Sequence, residues 1–205
     1  RDLHSFPTRR SSDLNAALFQ LVLMQLRRGD KAGYRETCNA VVDLPVRSIY
    51  VVNNARPVWP LCLAPDALDD MSRLVKRAEE YVADNSPDQG HWGPFVMGAA
   101  LFRAGRYAEA AERLEQSIAE YPTIPPHGFD TLNYQRLLLA MTKWQLGKRD
   151  DARRLLAETQ PAIDKELQAP ATLWVRRISL ELLRDESEAL IGPKEAQRSD
   201  RKSVV

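Results

Sequence analysis

Apolar residues recur along this chain at helical spacing, helix after helix, with polar turns between them. Leu18, Leu21, Val22, Met24 and Leu26 crowd one stretch so densely that only a helix buried on most faces would use them. Gly29 and Asp30 close that helix, and a second is predicted over Lys31–Val42, stopped by Asp43-Leu44-Pro45. Residues 54–63 read as a short helix after a loop, with a strand over 49–52 as the alternative. Pro57 and Pro60 each remove an amide, and Pro60 suits a helix only in its first turn. Asp66 is the predicted cap of a helix over 67–83, with Asp69 and Asp70 at its positive end and Met71, Leu74, Val75, Ala78 and Val82 along one face. Beyond a loop at 85–90 come helices over 92–104 and 107–121, then the Pro-rich linker TIPPHGFD, which ends at Asp130. Another helical hairpin follows. The final helix, over 172–191, carries Leu173, Trp174, Ile178, Leu182 and Leu183 and is expected to end at Gly192-Pro193.

Within the stretch GAALFRAGRYAEAAERLEQSIAEYP, small and large residues alternate in a register that carries more information. Gly98, Leu101, Gly105, Tyr107, Ala110, Leu114 and Pro122 resemble the signature positions of a tetratricopeptide unit of about 34 residues beginning at His91. Gly98 and Ala110 stand where two antiparallel helices would approach closest, Gly105 closes the first helix, and Pro122 ends the second. Ala140, Gly147, Ala152 and Leu156 repeat the pattern in a unit beginning at Asn133, displaced by an insertion in the linker. Gly29 aligns with Gly105, which makes the first hairpin a degenerate unit with Tyr34 in place of Ala110, a substitution expected to splay that pair. The resemblance implies an all-α fold of tetratricopeptide-like hairpins stacked as an α-solenoid, its end covered by a C-terminal capping helix.

Both ends of the chain read differently. HSFPTRRSSDL, from His4 to Leu14, resembles a translated sequencing adapter, and DRKSVV, from Asp200 to Val205, resembles its reverse complement. Residues 1–14 are therefore expected to be adapter-derived and disordered, 15–192 to form the repeat domain, and 193–205 to be a tail, adapter-derived from 200. The charge argument changes with them. The whole chain carries 29 Lys and Arg against 28 Asp and Glu, a formal +1. Without Arg1, Arg9, Arg10, Arg201 and Lys202, and without Asp2, Asp13 and Asp200, the balance becomes 24 against 25, or −1. No excess of positive charge then points to nucleic acid, and no apolar run is long enough to insert in a membrane. Cys38 and Cys62 lie in apolar patterns and read as buried free thiols, which fits a reducing, cytoplasmic compartment.

Candidate chemistry is sparse. His91 and His127 both neighbour Gly or Pro in loop or helix-start sequence and read as surface or capping residues, and no Cys or His falls at zinc spacing. Asp69-Asp70 and Asp150-Asp151 resemble paired carboxylates, yet each pair begins a helix, where the macrodipole accounts for it. The sequence lacks the glycine-rich loop, catalytic Asp and Asp-Phe-Gly of a protein kinase. No catalytic residue, metal or cofactor is expected. The inward side of the stacked first helices is the expected peptide groove, with Asn133, Gln135, Arg136 and Lys143 as candidate groove residues or, alternatively, plain solvated positions.

The ordered set YRETC, WPLCLAPD, GAALFRAGRYAEAAERLE, LLLAMTKWQLGKRDDARRLL and WVRRISLELLRDESEALI resembles something narrower. It is similar to the tetratricopeptide region at the C-terminal end of long bacterial proteins, typical of planctomycetes, that carry a serine/threonine kinase domain or WD-type propeller repeats upstream. That resemblance implies a non-catalytic interaction or scaffolding module of a multidomain regulatory protein with a protein or peptide partner. The alternative is an intramolecular regulator or spacer of an attached kinase.

Overall fold

The computed structural model describes residues 8–42, 58–83, 90–121 and 130–192, with side chains from Ala17 onward. Within them the chain forms α1 (Thr8–Arg27), α2 (Lys31–Val42), a 3-10 turn (Trp59–Cys62), α3 (Ser72–Ala83), α4 (Trp92–Arg103), α5 (Tyr107–Ala119), α6 (Leu132–Gln145), α7 (Arg149–Gln168) and α8 (Trp174–Ile191). The strand considered at 49–52, Pro57, Pro122, His127 and the tail lie outside the described residues. Helix α1 starts inside the stretch expected to be disordered. Once Phe19, Val22 and Leu23 are buried, extending the helix backwards adds one backbone bond for each residue fixed.

Three helical hairpins turn in the same way. Gly29, Gly105 and Gly147 have φ of +70°, +76° and +79°, the left-handed region where a Cβ is strained. After each glycine the next amide reaches back five residues: Asp30 to the Gln25 carbonyl at 2.9 Å, Arg106 to Leu101 at 2.9 Å and Lys148 to Lys143 at 2.9 Å. This is the Schellman closure, which satisfies carbonyls that the helix end leaves without partners. The degenerate first hairpin therefore keeps the turn of the other two.

Close approach inside the central hairpin falls on Gly98. A Cβ there would sit 2.7 Å from Leu114 Cγ and 3.2 Å from the Leu114 backbone nitrogen, so α4 and α5 could not keep their spacing with any larger residue. Leu101 and Leu114 are buried, Ala110, Ala140 and Ala152 are fully buried, Leu156 lies among the same core, and Tyr107 rests 5.8 Å from the Phe102 ring. In the first hairpin, Tyr34 donates its hydroxyl toward the carbonyls of Pro60 (3.3 Å), Leu61 (3.4 Å) and Ala64 (3.4 Å). The position that is alanine elsewhere here holds the 3-10 turn.

Two expected boundaries move. Helix α3 begins at Ser72, and its amide is capped by Asp70 Oδ1 at 2.9 Å, whereas Asp66 adopts a left-handed φ of 58°. The reason is Ala67 and Leu68, which are pulled into the core as part of a loop and so cannot continue a helix with an exposed side. At the other end, Leu173 and Trp174 precede or begin α8 and are 44% and 45% exposed, so the final helix buries Ile178 and Leu183 but not those two. Its neighbours are α6, α7 and α1, which brings the first and last helices together. It covers the last hairpin as expected of a C-terminal cap and reaches α1 as well.

Candidate functional site

The first helices α4 and α6 are buried almost all round, including the side turned away from α5 and α7. On α4 that burial takes in Trp92, Phe95 and Ala99, and on α6 Tyr134, Leu137 and Met141. What covers them is the chain itself. The Trp59 ring lies 4.9 Å from Phe95, 5.0 Å from Tyr134 and 6.3 Å from Trp92, centroid to centroid, in tilted and edge-on arrangements that suit aromatic quadrupoles. The Tyr134 hydroxyl donates to the Arg176 carbonyl on α8 at 3.2 Å.

Arg103, the one cation that the central first helix offers, closes the same interior. Its Nε donates to the Cys62 carbonyl at 2.8 Å, and its two terminal nitrogens bond both Glu186 oxygens, one at 2.7 Å. The Arg103 side chain is 2% exposed and Glu186 25%, so this bidentate ion pair links the 3-10 turn, α4 and α8 from a largely buried position. Helix α8 is not a removable plug. Freeing Val175, Ile178, Leu180, Leu183 and Ile191 would cost about 7–15 kcal/mol at ~1.5–3 kcal/mol each. That matches the total stability of an ordinary domain, about 5–15 kcal/mol. The expected peptide groove is core.

The four candidate groove residues part company. Asn133 and Gln135 are 6% and 0% exposed. The Asn133 amide donates to Glu166 Oε2 at 2.8 Å, beside the Thr131 hydroxyl at 2.7 Å, while Arg176 reaches the other Glu166 oxygen at 3.3 Å. In the orientation that satisfies both of its polar atoms, the Gln135 amide nitrogen donates to the Thr131 (2.6 Å) and Leu132 (3.1 Å) carbonyls. Both residues stand in the first turn of α6; Asn133, through Glu166, ties that turn to the end of α7 and the start of α8, while Gln135 closes the start of its own helix. Both are enclosed by the chain itself.

Arg136 and Lys143 instead share a cleft of about 350 Å³ between α5 and α7, with α6 as its floor. Leu139 lies between them on α6, and Ile118 and Leu155 supply apolar walls. Lys143 pairs with Glu115 at 2.9 Å, a carboxylate that is itself 55% exposed. Asp151, Arg154 and Glu158 complete the rim, Arg154 being held by Asp151 at 2.6 Å on its own helix. Among the described residues Arg136 has no carboxylate partner.

Groups capable of chemistry are engaged elsewhere. His91 bonds Asp130 through Nε2, lies 4.8 Å edge-on from the Tyr121 ring and is only 15% exposed, so it joins α4 to the start of α6 rather than standing at the surface. Ser117 donates at 2.7 Å to the His91 carbonyl and not to its ring, so the imidazole does not activate that hydroxyl. Burial pushes the Cys38 and Cys62 thiols up to about 12, so both stay protonated and unreactive near neutral pH. No group of three His, Cys, Asp or Glu among the described residues is arranged to hold a metal, and no described helix is long and apolar enough to cross a membrane. Sequence reasoning missed Trp59, Glu166 and Glu186. The signal for Trp59 was its Pro-flanked apolar run; nothing local marks the two glutamates.

A tetratricopeptide repeat family model matches residues 95–123, which span α4 and α5. No curated protein and no solved structure matches the chain. The recurrent glycine turn, the close contact at Gly98 and this match together make the fold an all-α, tetratricopeptide-like helical repeat.

Proposed function

We propose that the chain is a non-catalytic protein-interaction module and that it receives its partner on the cleft between α5 and α7. One observation carries this reading: the inner face of the first helices is filled by Trp59 and α8, whereas the outer cleft is open and lined by Arg136, Leu139 and Lys143. Charged side chains of both signs around the partly buried Ile118 and Leu155 have the composition of a polar interface rim. The resemblance of the five ordered segments to bacterial multidomain regulators favours a role inside a larger cytoplasmic protein, and a kinase domain of the same polypeptide is then one partner the cleft would hold.

The reading is tested with a photo-crosslinking side chain at Glu158, on the cleft, and at Gln20, on the exposed side of α1. A protein captured from Glu158 alone, then prepared separately, should bind the purified chain and should bind it more weakly after Arg136→Glu. A partner that crosslinks from Gln20 and ignores Arg136→Glu would contradict it.

A further inference from the structure

Helix α1 leaves in water apolar side chains whose counterparts on the other first helices are buried. Gly29, Gly105 and Gly147 close the three hairpins with one kind of turn, and the closing bonds fix a common register in which Gln25, Leu101 and Lys143 are equivalent. In that register Leu21 corresponds to Met97 and Leu139, and Met24 to Ala100 and Thr142. Ala17 and Gln20 correspond to Gly93 and Val96 on α4 and to Gln135 and Leu138 on α6. Seven of these eight positions on α4 and α6 are buried, and Met97 is half-buried. On α1 all four are exposed, Leu21 by 45% and Met24 by 38%. The difference lies in what stands before each helix. Helix α3 packs against α4 and α5 against α6, whereas the main neighbours of α1 are α2, α8 and the 3-10 turn. On α6 the covering contact can be followed to side chains: Leu139, the counterpart of Leu21, lies beside Ile118 of α5, and Lys143 pairs with Glu115 of the same helix at 2.9 Å.

Resting on the proposed place of this chain inside a larger protein, we infer that the Leu21 face receives the second helix of one more hairpin of the same type, carried by the same polypeptide ahead of α1. That helix takes the position that α3 has beside α4 and α5 beside α6, so the stack continues through an interface it already uses. Its chemistry follows from α1. Leu18 and Gln25 stand where α6 has Arg136 and Lys143, so the incoming helix needs no counterpart of Glu115 and presents an apolar stripe to Leu18, Leu21 and Met24. Gln20, in the place of Val96 and Leu138, calls for one polar side chain within that stripe. A separate molecule fits less well. One helix face with two half-covered apolar side chains falls far short of the roughly 800 Å² per partner of a stable complex, whereas a tethered hairpin docks without losing translational freedom. No separate protein is therefore expected to crosslink from Gln20.

The test lengthens the whole chain. Residues 91–132, the central hairpin with the linker leading into α6, are placed ahead of Asn15 in exchange for residues 1–14, because Asn15 is equivalent to Asn133. Leu21→Cys supplies a reporter thiol in the original and the lengthened protein, and Leu173→Cys, at a position 44% exposed before α8, is the control; Cys38 and Cys62 are buried. The lengthened protein should gain helix by circular dichroism. Its Leu21→Cys thiol should react with a maleimide about tenfold more slowly than in the original chain, with Leu173→Cys unchanged. Adding Met24→Asp should restore the fast rate while the added helix is kept. Unchanged labelling at Leu21→Cys, or an added hairpin that brings no helix, would overturn the inference. So would a dimer of the original chain in sedimentation that Leu21→Asp dissolves, since the face would then belong to a second copy. The cleft experiments turn on Arg136 and this one on Leu21, so either reading can fail alone.

Discussion

At the scale of single residues, the space available to a side chain decides the hairpin. Gly98 has none to spare against Leu114, and Ala110 is fully buried while its neighbour Ala111 is only partly so. Ala110→Leu is therefore expected to cost about 1–3 kcal/mol, because three added carbons must push α4 and α5 apart or leave their rotamer. Ala111→Leu makes the same volume change at the edge and should cost much less. Chemical denaturation followed by circular dichroism reads both, and equal losses would mean that the register is wrong. The buried thiols give a second prediction. Cys38 and Cys62 hold their protons in the folded state up to about 12, whereas in the unfolded chain they release them near their ordinary value. The folded state thus binds more protons between those limits, and stability falls as pH rises above about 8.5, by up to ~1.4 kcal/mol per pH unit for each thiol. Below that range the thiols contribute no slope. Denaturant midpoints measured from pH 7 to 10 should show the fall, and Cys62→Ala should make it shallower; an unchanged slope in that variant would place the thiol in water.

Between elements, the link with most at stake joins α4 to α8 through Arg103 and Glu186. The Arg103 guanidinium is almost wholly out of water while Glu186 is a quarter exposed, so removing the carboxylate leaves a buried cation without compensation. Glu186→Ala should cost about 3–5 kcal/mol, while the double change Arg103→Met, Glu186→Leu should recover part of that, because apolar side chains of similar size need no partner there. Urea denaturation of the single and double variants checks it, and a double variant less stable than the sum of the singles would contradict the pairing. Element by element, much of this was legible in sequence. Helix α2 runs over the predicted residues, and α4, α5 and α8 begin or end within two residues of expectation, since periodic apolar faces and Gly stops are local signals. Helix α3 was misjudged at Asp66 because the burial of Ala67 and Leu68 in a loop is decided by what packs above them. Asn133 and Gln135 looked like groove residues for a related reason. A polar side chain in a first turn reads the same whether it meets solvent or Glu166, and Glu166 comes from another helix more than 30 positions later.

For the whole molecule, a tetratricopeptide-like hairpin stack has turned its inner face into core, and the recognition we propose for the cleft between α5 and α7 rests on that. Sequence could identify the repeat but not this, because the cover comes from two distant places: the turn at Trp59 and the C-terminal helix. Arg136 and Lys143 line the cleft between α5 and α7 and not the inner face for which the sequence suggested them. Comparing two tryptophans tests the claim most directly. Trp59 is 2% exposed among Phe95, Tyr134 and Trp92, whereas Trp174 is 45% exposed at the start of α8. Trp59→Ala should cost about 3–5 kcal/mol in chemical denaturation, with Trp174→Ala staying below about 1 kcal/mol. A small, similar loss in both variants would mean that Trp59 is not part of the core and that the inner face is an open groove after all.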